Sequence, residues 1–189
     1  MTNFNEIVFQ YKNILSYVSQ KTGIPSNQIR SDIVGMMEKM ERSTNSGFSG
    51  GANRSRFDGV VYQFVIMHLL GAKKIEGLNT TDYLYLGQNI EFKLATGNEI
   101  KYKVAVRPME PSVPIFYEHY DKLHFITSLT PPFKVYVISQ ENLNNYVMKK
   151  FVVIPRSISR NETVMGMWKV FLHIPVSAIS RLVEETIDL

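Results

Sequence analysis

The chain has 189 residues, 44% of them apolar, with a formal charge of +4 and a pI of about 9.2. That length allows one domain, 1–189, with a sizeable core. It contains no cysteine, which excludes a disulfide framework and a thiolate zinc site. No apolar run approaches a membrane span, and Met1 to Glu6 lack the basic and apolar regions of a signal peptide. A cytoplasmic protein without membrane attachment is expected, and the positive excess is compatible with a polyanionic partner.

Phe4, Ile7, Val8, Tyr11, Ile14, Leu15 and Val18 recur at helical spacing and predict a helix over 3–20, ended by Gly23. After Ile24-Pro25-Ser26 a second helix is predicted over about 26–42, with Ile29, Ile33, Met36, Met37 and Met40 on one side. Together they predict an N-terminal helical hairpin whose methionine row suits packing on the body or on a second subunit. Residues 43–56, rich in Gly, Ser and Asn, read as a loop. Arg54 and Arg56 within it suit contact with a nucleic-acid backbone, although a solvated linker has the same composition. Phe57 to Leu70 predicts a third, deeply buried helix. Asp58 stands near its start, where a carboxylate favours the positive helix end, and His68 reads as a packed, hydrogen-bonded histidine.

The run from Thr81 to Lys93 reads as two short strands around a tight turn. Tyr83 to Leu86 is the first, Gly87-Gln88-Asn89 supplies the turn, and Ile90 to Leu94 resumes the strand. Alternation puts Ile90, Phe92 and Leu94 on one face and Glu91 and Lys93 on the other, and the hairpin returns Asp82 close to both. Two carboxylates and an ammonium at one sheet end suit metal-assisted hydrolysis of a phosphodiester. Mg²⁺ takes oxygen ligands, usually from one or two carboxylates, and completes its shell with water and substrate phosphate. Asp82 and Glu91 are the candidate ligands. Lys93 is the group to orient or help deprotonate the attacking water and oppose charge growing on the phosphate.

Asp82 followed by Glu91-Phe92-Lys93 resembles the PD-(D/E)xK nuclease core of type II restriction endonucleases, over roughly residues 57–107 and with Thr81 in place of the family's proline. The resemblance implies an α/β (α+β) fold, a central mixed β-sheet flanked by helices in a restriction-endonuclease-like core over 57–189. It also implies a Mg²⁺ cofactor and an extra acidic metal residue on the helix before the sheet, which Asp58 would match. A type II enzyme would be a homodimer cutting double-stranded DNA at a short palindromic site. A second ExK match, Glu99-Ile100-Lys101, lies on the next strand. The hairpin favours Glu91 and Lys93, because it returns them to Asp82 directly.

Glu99 to Val106 alternates as a strand with Lys101 and Lys103 on one face, and Arg107 follows. With Lys93 these make a positive stripe suited to phosphates or base edges. Residues 115–127 are predicted helical, with His119 and His124 as surface or partly buried aromatics at a spacing unsuited to joint metal ligation. Strands are predicted at Phe133–Ile138 and Phe151–Ile154, around a short helix or loop over 140–149. Arg156, Ser157, Ser159, Arg160 and Asn161 read as a second basic loop for DNA contact. A strand at Trp168–Ile174 and a helix from Pro175 to Ile187 complete the chain.

The leading function is thus a Mg²⁺-dependent DNA endonuclease. Within that class a junction resolvase, a repair nuclease and a viral RNA endonuclease are rivals. Outside it stand a non-catalytic nucleic-acid-binding module and a protein-interaction domain, the latter with no salt-dependent nucleic-acid binding.

Overall fold

The computed structural model describes residues 3–43, 52–75, 82–150, 158–164 and 166–189. The first predicted helix is two, α1 (Phe4–Phe9) and α2 (Lys12–Thr22), because the backbone leaves helical geometry at Tyr11 (φ −96°, ψ 12°). The break gives the pieces different partners. The first lies on α3 (Ser26–Ser43), and the second on both α3 and α4 (Ala52–Leu69). Gly23 ends α2 as expected: at φ 75° it is left-handed, and its N–H bonds Ser19 O at 2.9 Å. Ile29, Ile33 and Met37 form the buried stripe of α3, at helical four-residue spacing.

Helix α4 begins at Ala52, so the loop predicted over 43–56 is helical from that point. Its first turns are polar and carry no apolar periodicity to read. Further along, Val61, Tyr62, Phe64, Val65 and Ile66 are each at most 3% exposed. A helix buried on nearly every side is one covered by helices on one flank and a sheet on the other.

Among the described residues the strands are β1 (Lys73–Lys74), β2 (Tyr83–Tyr85), β3 (Gln88–Leu94), β4 (Glu99–Arg107), β5 (Glu110–Ile115), β6 (Lys122–Ile126), β7 (Lys134–Ser139), β8 (Ile158–Val164), β9 (Met167–Pro175) and β10 (Glu185–Asp188). They form a six-stranded sheet, β1-β2-β3-β6-β7-β10, and a four-stranded sheet, β5-β4-β9-β8. Every pairing is antiparallel except β3 with β6. Parallel neighbours need a long crossover; here the β4–β5 hairpin of the second sheet provides it.

The mixed sheet flanked by helices is the expected α/β (α+β) class, in three layers. One core lies between α1–α4 and the large sheet and includes Tyr83, Ile90, Phe92, Ile126 and Val135. The other lies between the sheets, where Leu123, Phe125 and Ile138 meet Ile100, Tyr102, Val104 and Val170. Helix α5 (Gln140–Lys150) and the single turn α6 (Val176–Ile179) close it with Leu143, Val147 and Ile179. No helix among the described residues is long and apolar enough to cross a membrane.

Three readings are corrected. The helix predicted over 115–127 is the end of β5, an irregular segment and strand β6. Leu123 to Ile126 is buried on both faces, and a short buried run of that kind has no period that separates strand from helix. The helix predicted from Pro175 to Ile187 is only α6 and a 3-10 turn (Ser180–Leu182), after which β10 adds to β7. Glu184 marks that switch. Its N–H bonds Val137 O, and its carboxylate takes Ser139 N and Asn142 Nδ2 at the start of α5. The basic loop predicted over 156–161 is strand from Ile158 onward, while Arg156, Ser157 and the strand predicted at Phe151–Ile154 lie outside the described residues.

The turn between β2 and β3 also shifts by one residue, to Leu86 (φ 49°) and Gly87 (φ 79°). Two positive φ values make a type I′ hairpin turn, which matches strand twist but strains a leucine. Leu86 is 83% exposed and packs little. Leu86→Asn is expected to raise stability by about 1 kcal/mol, read as a higher urea midpoint with unchanged slope; a lower midpoint would contradict the strain.

Candidate active site

The two-residue turn sets the register that builds the site. Tyr83 pairs with Ile90, so one step further Asp82 comes opposite Glu91. The ladder does not simply continue there. Asp82 N–H bonds Ile90 O at 2.8 Å, and Asp82 Oδ2 accepts the Phe92 N–H at 2.6 Å. The side chain thus takes a main-chain donor that the next ladder carbonyl would otherwise satisfy. On the same face of β3, Lys93 Nζ bonds Glu91 Oε1. Gln63 of α4 reaches the Asp82 carbonyl at 3.4 Å. Phe92, between the acid and the lysine, points into the helical core. The predicted alternation therefore holds, and Asp82, Glu91 and Lys93 are brought together.

Crowding shapes the electrostatics. Glu91 is 8% exposed, and the Asp82 residue surface is only partly open. Burial first, and then the Glu91 charge, push the Asp82 carboxyl up to about 7; Lys93, the Phe92 N–H and Lys103 pull the other way without prevailing. A buried carboxyl whose ionisation a neighbouring carboxylate opposes, both of them hard oxygen donors, suits a divalent cation. Among the described residues no three His, Asp or Glu side chains converge on one point. A cation held by Asp82 and Glu91 would draw its remaining ligands from water and substrate, which is ordinary for Mg²⁺.

The other expected site residues are dispersed. Asp58 bonds the Tyr11 hydroxyl, and its charge acts on Tyr62 and not on Asp82. It serves the helical layer, so the third acid expected beside the metal is not drawn to the pair. Glu99 bonds His173 Nδ1 at 2.6 Å across the β4–β9 ladder. That holds the second ExK match, with exposed Lys101, on the other sheet.

Arg107 is exposed and pairs with Glu110 at 3.1 Å, and Lys103 pairs with Glu118 at 3.2 Å. The stripe is therefore partly neutralised. Arg54 and Arg56 stand on α4 and Arg160 on β8, but their side chains, like all of Arg156, lie outside the described residues.

The histidines part company. His119 is exposed. His68 Nε2 is buried and 3.7 Å from Asp32, beyond a hydrogen bond; burial lowers its pKa against the pull of Asp32. His124, expected at the surface or partly buried, is 1% exposed behind the site, its Nδ1 2.9 Å from the Tyr83 hydroxyl. Burial, then Lys122, push its pKa down to about 4.

Two features escaped the sequence reading: this Tyr83–His124 pair and the Lys103–Glu118 pair beside the acids. Neither leaves a local signal, since each joins residues far apart in the chain. No protein-family model matches the chain and no curated protein matches it, so the functional reading rests on this geometry.

Proposed function

We propose that the protein is a Mg²⁺-dependent endonuclease that hydrolyses phosphodiester bonds in double-stranded DNA, as type II restriction enzymes do. The observation that carries the reading is the gathering of Asp82, Glu91 and Lys93 at one hairpin end, where burial and then the Glu91 charge make Asp82 resist ionisation. Apolar packing gains nothing from such a pair, whereas a divalent cation relieves it. Mg²⁺, when bound, supplies Lewis-acid stabilisation of the attacking and leaving oxygens.

Asp82 and Glu91 provide the hard oxygens, and the Phe92 N–H fixes the Asp82 carboxylate in place. Lys93 is held by Glu91, where it orients the attacking water and meets the charge on the phosphoryl oxygens. The water oxygen bonds to phosphorus in line with the phosphorus–oxygen bond that breaks; the water gives up a proton to solvent and the leaving sugar oxygen takes one from it, so the products are a phosphate monoester and a free hydroxyl. A second copy about a two-fold axis would cut the other strand of a palindromic site, and the cytoplasm is the compartment that fits.

Wild-type protein incubated with duplex DNA and Mg²⁺ is expected to release new ends, and chelation to stop it. Glu91→Ala and Lys93→Met should each slow cleavage about 100- to 1000-fold. Glu99→Gln should stay near wild type, because Glu99 is engaged with His173. Equal rates for all three variants would sink the assignment. DNA bound but left intact points to a non-catalytic binding module, and neither binding nor cleavage removes nucleic acid from the reading.

A further inference from the structure

Lys103 and Glu118 lie outside the Asp82–Glu91–Lys93 trio but within its field. Lys103 comes from β4, on the second sheet, and Glu118 from the irregular segment between β5 and β6. That segment is strapped to the start of α5 by one residue. Gln140 Nε2 donates to Glu118 O at 2.6 Å, Gln140 Oε1 accepts Tyr120 N–H at 3.4 Å, and Gln140 N–H bonds Asp121 O at 3.0 Å. The Glu118 carboxylate therefore has a fixed base. Its side chain is 13% exposed; Oε1 holds Lys103 Nζ at 3.2 Å, and Oε2 is buried without a hydrogen-bond partner.

The Lys103 charge acts on Asp82, and the charges of Asp82 and Glu91 act on Lys103. Burial alone would lower the Lys103 pKa. Glu118, then Glu91 and Asp82, outweigh it and raise the value, so the group is a firm cation. Its side chain remains 38% exposed. An ammonium has three donors, and Glu118 takes one. A charge held in place, reachable, and with donors to spare differs from the closed Arg107–Glu110 pair, whose partners are both well exposed at the sheet surface. One acid–lysine pair, Glu91–Lys93, stands on β3; the other joins Lys103 of β4 to Glu118 of the segment between β5 and β6, and the charges of both lysines act on Asp82.

We infer that Lys103, held by Glu118, extends the site and takes a phosphate oxygen of the nucleic-acid backbone. The placement rests on the nuclease reading. Lys103 touches substrate; Glu118 is a positioning residue that acts through it. Phosphate contacts of this kind fix register and contribute salt-dependent affinity without reading bases.

The test separates binding from turnover in the full chain. Binding of a labelled duplex is measured by anisotropy in EDTA over a salt series, and cleavage by single-turnover kinetics in Mg²⁺. Lys103→Met is expected to weaken binding about 10- to 100-fold and to lower the salt slope by about one contact. Lys103→Arg should restore the slope. Glu118→Gln should bind as well as wild type, or better, yet cleave about tenfold more slowly, a split that loss of structure would not give. The double variant Lys103→Met/Glu118→Gln leaves no orphaned charge, so it keeps the test valid if Lys103→Met unfolds; it too should lose one contact.

Lys134→Met, a surface lysine on β7 paired with Asp188, is the control. Lys103 variants that match this control in slope and rate overturn the inference while the nuclease reading stands. A wild type that binds without cutting, with the slope still lost at Lys103, sinks the nuclease and keeps the phosphate contact. A wild type that does not bind overturns both.

Discussion

Asp82→Asn is expected to abolish Mg²⁺-dependent cleavage and at the same time to make the folded protein more stable at pH 8. The loss of activity follows from removing a charged ligand, and should reach at least about 1000-fold. The gain in stability follows from linkage. Folding raises the Asp82 pKa from 3.8 to about 7, so between those values the native state binds more protons than the unfolded one. Stability from this group is fully present below pH 4 and is lost as pH rises through 7. Above that point the crowded pair costs on the order of 4 kcal/mol, shared with Glu91. Asparagine carries no charge to desolvate, and its side-chain oxygen still accepts the Phe92 N–H. Urea melts at pH 5 and pH 8 read the effect. A variant less stable than wild type at pH 8 would show that the carboxylate is a structural asset and not a strained ligand.

The second large effect lies one residue along. Tyr83→Phe/His124→Leu is expected to resist acid better than wild type. The His124 pKa falls from 6.5 to about 4 on folding, through burial and then the Lys122 charge. The neutral ring is what the core accepts. Its contribution is intact above pH 6.5 and is lost as pH falls towards 4, by about 3 kcal/mol in total. Burial raises the Tyr83 pKa well above its usual value, with Asp82 and Tyr85 adding to it, so the phenol stays neutral throughout. Replacing both partners leaves no unsatisfied polar group behind, which keeps the exchange close to neutral at pH 7.

The two slopes oppose one another over the same pH range. Wild-type stability should therefore vary little between pH 4 and 6.5, while Asp82→Asn uncovers the histidine loss and the Tyr83/His124 variant uncovers the aspartate loss. Chemical denaturation at four pH values gives all three curves. Parallel curves would mean that neither group is coupled to folding.

What could be read from the sequence was what is local. The hairpin, its alternation and the trio of charged groups lie within a dozen residues, and a turn and a period of two place them without reference to the rest of the fold. The stripe of α3 and the glycine end of α2 were legible for the same reason. Strand β6 was not, because it is a strand through pairing with β3 on one side and β7 on the other. Strand β10 depends likewise on β7. Asp58 looked like a site acid from its place on a helix before a sheet. Which way α4 is rotated decides the matter, and a helix buried all round gives no periodic sign of its rotation. Lys103 was read as one lysine of a stripe; its pairing with Glu118 depends on how an inner strand and a loop meet.

The crossover through the second sheet has a consequence for assembly. Asp82 and Phe92 meet across a separation of 10 residues, Asn89 and Asp121 across 32, and Glu99 and His173 across 74. Chain-closure entropy grows with the logarithm of that span, so the longest of these contacts carries about 2 kcal/mol more closure penalty than the shortest. The acids thus meet through the least demanding of these three closures. The sheet that brings Lys103 beside them is tied down only when a strand from near the far end of the chain has docked.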